Sequence, residues 1–245
     1  MADYRTMQAT AGSRSAAIDE GLRAHMNKVY GTMSVGTLLT FLVAWAVGSS
    51  PELLGIFRDP MTLQPNILGW VIMFAPLLMV FGFGAMINRL SAAGAQTFFY
   101  VFSAVMGLSL SWIFVAFTGI SIAQVFLVTS IAFAGLSLYG YTTKRDISGW
   151  GAFLMMGVIG IIVASIINIF LGSPALHFAI SAIGVLIFAG LTAYDTQNIK
   201  TTYLQHAHSM DQEWLGKSAI MGALQLYLDF INLFMFLLQF LGNRE

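Results

Sequence analysis

Ser218-Ala-Ile-Met-Gly222-Ala-Leu-Gln225-Leu-Tyr-Leu-Asp229-Phe-Ile-Asn232-Leu-Phe-Met-Phe-Leu-Leu-Gln239-Phe-Leu241 is long and apolar enough to cross a bilayer, yet it carries a carboxylate. Ser218, Gly222, Gln225, Asp229, Asn232 and Gln239 recur at spacings of three, four and seven, so they form one small and polar stripe on an otherwise Leu, Phe and Met surface. Such a stripe must face protein, because a carboxylate in hydrocarbon costs at least about 2.5 kcal/mol on insertion scales. The reading is an all-α polytopic membrane protein in which this segment is enclosed by others.

The rest of the chain supplies the others. Its 245 residues are 58% hydrophobic and only 9% charged, against about 25% charged in a soluble domain. Seven segments are long enough to span, at about 26–47, 67–87, 96–117, 122–141, 151–171, 174–199 and 218–241. The breaks are Gly, Pro, Ser and charge, as at Gly48-Ser49-Ser50-Pro51, Lys144-Arg145-Asp146 and Gly172-Ser173-Pro174. Residues 1–25 read as a polar tail, and residues 26–245 as one seven-helix domain. The polar start is unlike a cleavable signal peptide, so the first span is expected to be its own signal.

Arg5, Arg14, Arg23, Lys28, Arg89, Lys144, Arg145, Lys200 and Lys217 fall on one side of a seven-span topology, leaving Arg58 and Arg244 opposite. The positive-inside rule then expects a cytoplasmic N-terminus, an external C-terminus and a location in the cytoplasmic membrane. A net charge of zero argues against nucleic acid as a partner, and the absence of cysteine removes thiolate chemistry and disulfides. His206-Ala-His208 is two imidazoles in a loop, too few for a metal centre.

A second intramembrane acid, Asp195, lies on the preceding span, in a shorter stripe of Ser181, Gly184, Asp195, Asn198 and Thr202. Amides and small residues on such stripes are ordinary interhelical glue, but a carboxylate is not needed for glue. Two carboxyl groups in contact would hold one shared proton over a range near neutrality. Counting from Lys200 puts Asp195 about 7 Å inside the membrane, and counting from Lys217 puts Asp229 about 18 Å inside. Straight helices therefore leave a depth gap that tilt, or an early start of the seventh helix, must close. Arg89, at the end of the second span, is the nearest candidate countercharge.

Gly190-Leu-Thr-Ala-Tyr-Asp195-Thr-Gln-Asn-Ile199 and Leu226-Tyr-Leu-Asp229-Phe-Ile-Asn-Leu-Phe234 resemble the motifs of the Bax inhibitor-1 family, in its bacterial branch. Ser137-Leu-Tyr-Gly-Tyr-Thr-Thr-Lys-Arg-Asp146 and Gly107-Leu-Ser-Leu-Ser111 match as well, and the resemblance covers nearly everything from Val29 to Gly242. It implies six helices around a central seventh and a pH-sensitive calcium leak without enzymatic activity. It also implies that Asp195 and Asp229 pair as the proton sensor with Arg89 latched to them; Gln225 and Asn232 on the stripe of the seventh span and Asn198 on that of the sixth are the supporting polar residues read from the spacing. No cofactor is implied; calcium is the permeant ion, met only weakly and transiently by the two aspartates, with protons and the lipid bilayer as the other partners.

Two further classes fit part of the pattern. A non-catalytic modulator of a membrane protease or of a stress response would have that protease as its partner. An intramembrane aspartyl protease also needs paired aspartates, and Tyr194-Asp195 imitates one of its motifs. However, Leu226-Tyr-Leu-Asp229 lacks the glycines that group places before its second aspartate, and Pro174-Ala-Leu176 precedes the pair where that group's tripeptide follows it.

Overall fold

Most breaks in the hydrophobic pattern are helix caps, the exception being the loop 144–148, after which the next helix starts behind Gly149 without a side-chain cap. In the computed structural model, which describes residues 2–243 except 60, 61, 63, 208 and 210 and the side chains from residue 18 onward, the chain forms α1 (Ala2–Gly48), α2 (Pro51–Phe57), α3 (Ile67–Met86), α4 (Ala92–Leu110), α5 (Ile113–Ala116), α6 (Gly119–Thr142), α7 (Trp150–Leu171), α8 (Pro174–His206) and α9 (Gln212–Leu241). Gly172 ends α7 in the left-handed conformation (φ 60°), Ser173 caps α8 by accepting from the Leu176 N–H, and Pro174 takes the first turn. Ser50, Asn66, Ser91, Thr118 and Asp211 cap α2, α3, α4, α6 and α9 in the same way.

Seven helices are long and apolar enough to cross a membrane. The predicted count holds, but several boundaries move. The polar segment 1–25 is not a separate unit in the backbone, since α1 already runs from Ala2 and its packed part starts at Leu22 and His25. The third span is broken at Ser111–Trp112 into α4 and α5, and a short helix, α2, follows the first span. His208 and Arg244 lie outside the described residues, as do the side chains of Arg5 and Arg14.

Lys28 lies against Gly216, Glu213 accepts from the Ala92 N–H, and Gln197 grips the loop after α6, so α1, α4, α6, α8 and α9 have one set of ends together at a basic face. At the opposite face Asn243 closes the bundle, its carbonyl accepting from the Thr118 N–H (3.1 Å) and its own N–H donating to Ser121 Oγ (2.9 Å).

α9 is the inner helix. Over its most apolar stretch 67% of residues are buried, against 11% for α7. Leu224, Leu226, Tyr227, Asp229, Phe230, Ile231 and Leu233 are all buried, which no one-sided helix could achieve. α9 packs mainly on α1, α4, α6 and α8, whereas α3 lies chiefly on α4 and α7 on α8. Of the six other spanning helices, four thus pack directly on α9, while α3 and α7 lie mainly against α4 and α8 respectively. The reason is in the sequence of α7, whose Phe153, Met155, Met156, Ile159 and Ile162 are exposed and suit lipid contact rather than a second protein face.

Candidate functional site: a carboxyl pair between two long helices

α8 and α9 form an antiparallel hairpin whose register can be read from three contacts. Ile199 lies against Gly222, Gly184 against Phe236, and Ser181 Oγ donates to Gln239 Oε1 (3.4 Å). In this register Asp195 stands level with Gln225, one helical turn from Asp229; because side chains lean toward the N-terminus of their own helix, the two carboxyl groups incline toward each other across that turn and come within hydrogen-bonding reach. The same register narrows the depth gap from about 11 Å to about 6 Å, one turn, which the two leaning side chains span. Lys200 and Lys217 do not mark one plane, because α8 continues past Lys200 to His206 and α9 begins before Lys217, at Gln212. Lys200 lies about one turn, roughly 5 Å, deeper than Lys217. It is tolerated there because its Nζ donates to the Tyr141 carbonyl (2.6 Å) near the C-terminal end of α6 and sits over the Tyr141 ring (5.2 Å).

Asp229 is only 4% exposed and Asp195 is partly buried. Two ionised carboxylates have no donor between them, so a hydrogen bond in this pair requires one shared proton. Asp229 Oδ2 is buried with no hydrogen-bond partner among the described residues. A buried polar atom of this kind is costly, and a proton shared with Asp195 supplies the pair with the donor it otherwise lacks. No group of three or more His, Cys, Asp or Glu side chains able to hold a metal occurs among the described residues. Calcium takes 6–8 oxygen ligands, so two carboxyl groups do not suit a resident ion; they suit a proton or a cation in transit.

Close packing holds the pair in place. Gly140 of α6 brings its backbone onto the Ala193 carbonyl of α8, where a side chain would collide. One turn away, Tyr30 Oη and Ser137 Oγ are 2.6 Å apart, and Ser137 Oγ and Thr196 Oγ1 are 2.9 Å apart. These bonds join α1, α6 and α8 beside Asp195. On the other side of Asp229, Tyr227 is fully buried between Phe99 and Phe102, and its hydroxyl meets Thr40 Oγ1 at 2.6 Å. Sequence reasoning did not single out these residues as functional. Tyr227, Ser137 and Thr196 were within the quoted motifs, but hydroxyls are common interhelical glue and their partners are 59–187 residues away.

The supporting residues named from the sequence are dispersed. Asn232 spends its amide on its own helix, Nδ2 donating to the Leu228 carbonyl (2.8 Å). Gln225 is half-buried, whereas Asn198 is exposed, and neither makes a hydrogen bond to the pair among the described residues. Arg89 is exposed in the turn after α3 and makes no ion pair with either aspartate among the described residues. That turn is anchored through Ala92 to Glu213, sixteen residues and about 24 Å along α9 from Asp229. His206 is accounted for by the Thr202 carbonyl (2.9 Å) and by Trp214, 5.0 Å away between ring centroids.

Outside the spans, the Ser148 backbone N–H, and after it the Ser148 side chain, hold the Asp146 carboxyl below the usual carboxylate range. This acid belongs to the loop docked on Gln197 and not to the pair.

The chain is similar to known proteins over most of its length. The family described as "Inhibitor of apoptosis-promoting Bax1" matches residues 22–245. The chain is 47% identical to the inner membrane protein YbhL of Escherichia coli K12 over 225 residues, covering 92% of this chain and 94% of the relative. It is 45% identical to an uncharacterized protein of Caulobacter vibrioides, covering 94% of this chain and 92% of the relative. For an uncharacterized protein of Deinococcus radiodurans the identity is 35%, covering 98% and 99% respectively. With seven apolar helices around a buried carboxyl pair, the chain is a multi-pass membrane protein and belongs to the Bax inhibitor-1 family.

Proposed function

We propose that the protein is a pH-sensitive calcium leak channel of the bacterial cytoplasmic membrane, with Asp195 and Asp229 as its proton sensor and its N-terminus in the cytoplasm. The observation that carries the reading is the contact itself: two carboxyl groups from different helices, one of them buried in the bundle. With one proton shared, the pair ties α8 to α9; without it, two like charges lie together in the core of the bundle and push the helices apart. A proton is thereby coupled to the spacing of the two helices, and a separated pair exposes four carboxylate oxygens to a passing cation. The membrane location is supported by the E. coli relative, described as an inner membrane protein, and the orientation by the basic residues gathered at one face.

Calcium flux into liposomes holding the purified protein, followed from pH 5.5 to 8.5, tests the reading. Flux with a pH-dependent step in the native protein, flattened in both Asp195→Asn and Asp229→Asn, is expected. Absence of flux, or cleavage of membrane peptides that is lost on Asp229→Ala, would overturn it in favour of a modulator or a protease respectively.

A further inference from the structure

A cavity of about 930 Å³ lies between α1 and α6, with Phe230 of α9 among its walls. α1 packs on α4, α8 and α9, and α6 on α8 and α9, which leaves the space between these two helices open at the side. In a membrane-spanning bundle that side faces lipid. The walls are mostly apolar, through Met26, Met33, Phe126 and Phe133, with hydroxyls such as Ser34 and Ser130 set among them, and the one charged lining residue among those described, Arg23, stands with Asn27 at the mouth on the basic face. From Arg23 to Phe41, eighteen residues on, the groove follows α1 for about 27 Å, longer than the roughly 15 Å of one leaflet's hydrocarbon. The volume is at the upper end of the roughly 300–1,000 Å³ typical of ligand sites.

We infer that this groove is a binding site for one glycerophospholipid with an anionic headgroup, drawn from the leaflet at the basic face, its phosphate on Arg23 and one acyl chain between α1 and α6. Charge complementarity selects the occupant. Arg23 is exposed just before the apolar part of α1, at headgroup level, and its planar fork suits a phosphate. Lys200 adds a second positive charge behind the Tyr141 ring that forms part of the wall. Asp19, one turn before Arg23, is not among the lining residues. The acyl chain would lie against Tyr30 and Ser137, whose hydroxyls lead to Thr196 beside Asp195, so occupancy braces the wall next to the carboxyl pair. The site stands on its own, whatever the protein conducts.

Native mass spectrometry of the full chain released from nanodiscs of equal parts palmitoyl-oleoyl phosphatidylglycerol and phosphatidylcholine tests the assignment. One retained phosphatidylglycerol per chain is expected, preferred at least fivefold over phosphatidylcholine. Arg23→Gln should reduce the preference to near unity, whereas Arg145→Gln, at the same face but outside the groove, should leave it unchanged. Ala134→Phe, at an exposed position in the wall, should abolish retention by filling the groove while the far-ultraviolet spectrum stays helical. Equal retention of the two lipids by the native chain would overturn the assignment, as would retention unaffected by Ala134→Phe. So would a dimer whose dissociation accompanies Ala134→Phe, since a second copy would then be the occupant.

Discussion

Asp229 and Asp195 are individually expensive and jointly useful. Replacing either by Asn keeps the shape and a hydrogen bond across the helix pair, but removes the like-charge repulsion that a shared proton controls. Each single variant is expected to lose most of the pH response of liposome calcium flux, and the double variant to resemble the singles, because the pair acts as one unit. Arg89→Ala should leave the midpoint of that profile in place, since Arg89 is exposed and makes no ion pair with either aspartate among the described residues; a displaced midpoint would mean that another conformation brings it in. Asp146 cannot supply the response. Its native value is depressed, so its stabilising contribution is complete above the ordinary carboxylate range and lost only as pH falls through the lowered value, well below pH 5.5. Tyr227 has a purely structural weight that can be measured: Tyr227→Phe removes the bond to Thr40 while Thr40 still donates to the Ser103 carbonyl (2.8 Å). A cost of about 1 kcal/mol is expected in reversible unfolding from detergent micelles.

Among the elements, the α8–α9 hairpin and the α6 wall decide whether the carboxyl groups meet. The hairpin register is set by small residues opposite large ones, Gly222 to Ile199 and Gly184 to Phe236. α6 is brought in by Gly140, whose missing side chain lets the helix rest on the Ala193 backbone two residues from Asp195. The obstacle to a larger residue there is a backbone carbonyl, which cannot rotate away. Gly140→Val is therefore expected to destabilise the bundle by about 1–3 kcal/mol and to weaken the Ser137–Thr196 contact. Thermal unfolding in detergent reads the first effect. The second should appear as faster exchange of the α8 amides near Thr196; unchanged stability and exchange would show that the α6–α8 approach is not needed for the fold.

The molecule as a whole must present its basic face to one side of the membrane. Because the chain has no cysteine, single Cys substitutions report without background. Cysteines at Ser13 and Ser148 are expected to react with an impermeant maleimide only from the cytoplasmic side, and a cysteine at Asn243 only from outside. Cytoplasmic reaction at Asn243 would require six crossings and one re-entrant segment. Composition, the seven apolar runs, their caps and the presence of two acids inside the membrane were all legible in the sequence, because hydrocarbon acts on each segment separately: length, apolarity and local capping need no partner. The stripe on α9 likewise announced that this helix is enclosed. What encloses it was decided only by tertiary packing, as were the hydroxyl links of Tyr30, Ser137 and Thr196 and the exposed position of Arg89. Depth was misjudged from Lys200 because that residue looks like a membrane boundary until the Tyr141 carbonyl is seen to receive it. The aspartates could be named from residue type alone, since their cost is a property of one side chain in hydrocarbon. Their meeting depends on the register of two helices, which is set by interlocking of small and large residues far along both chains and is carried by no single motif.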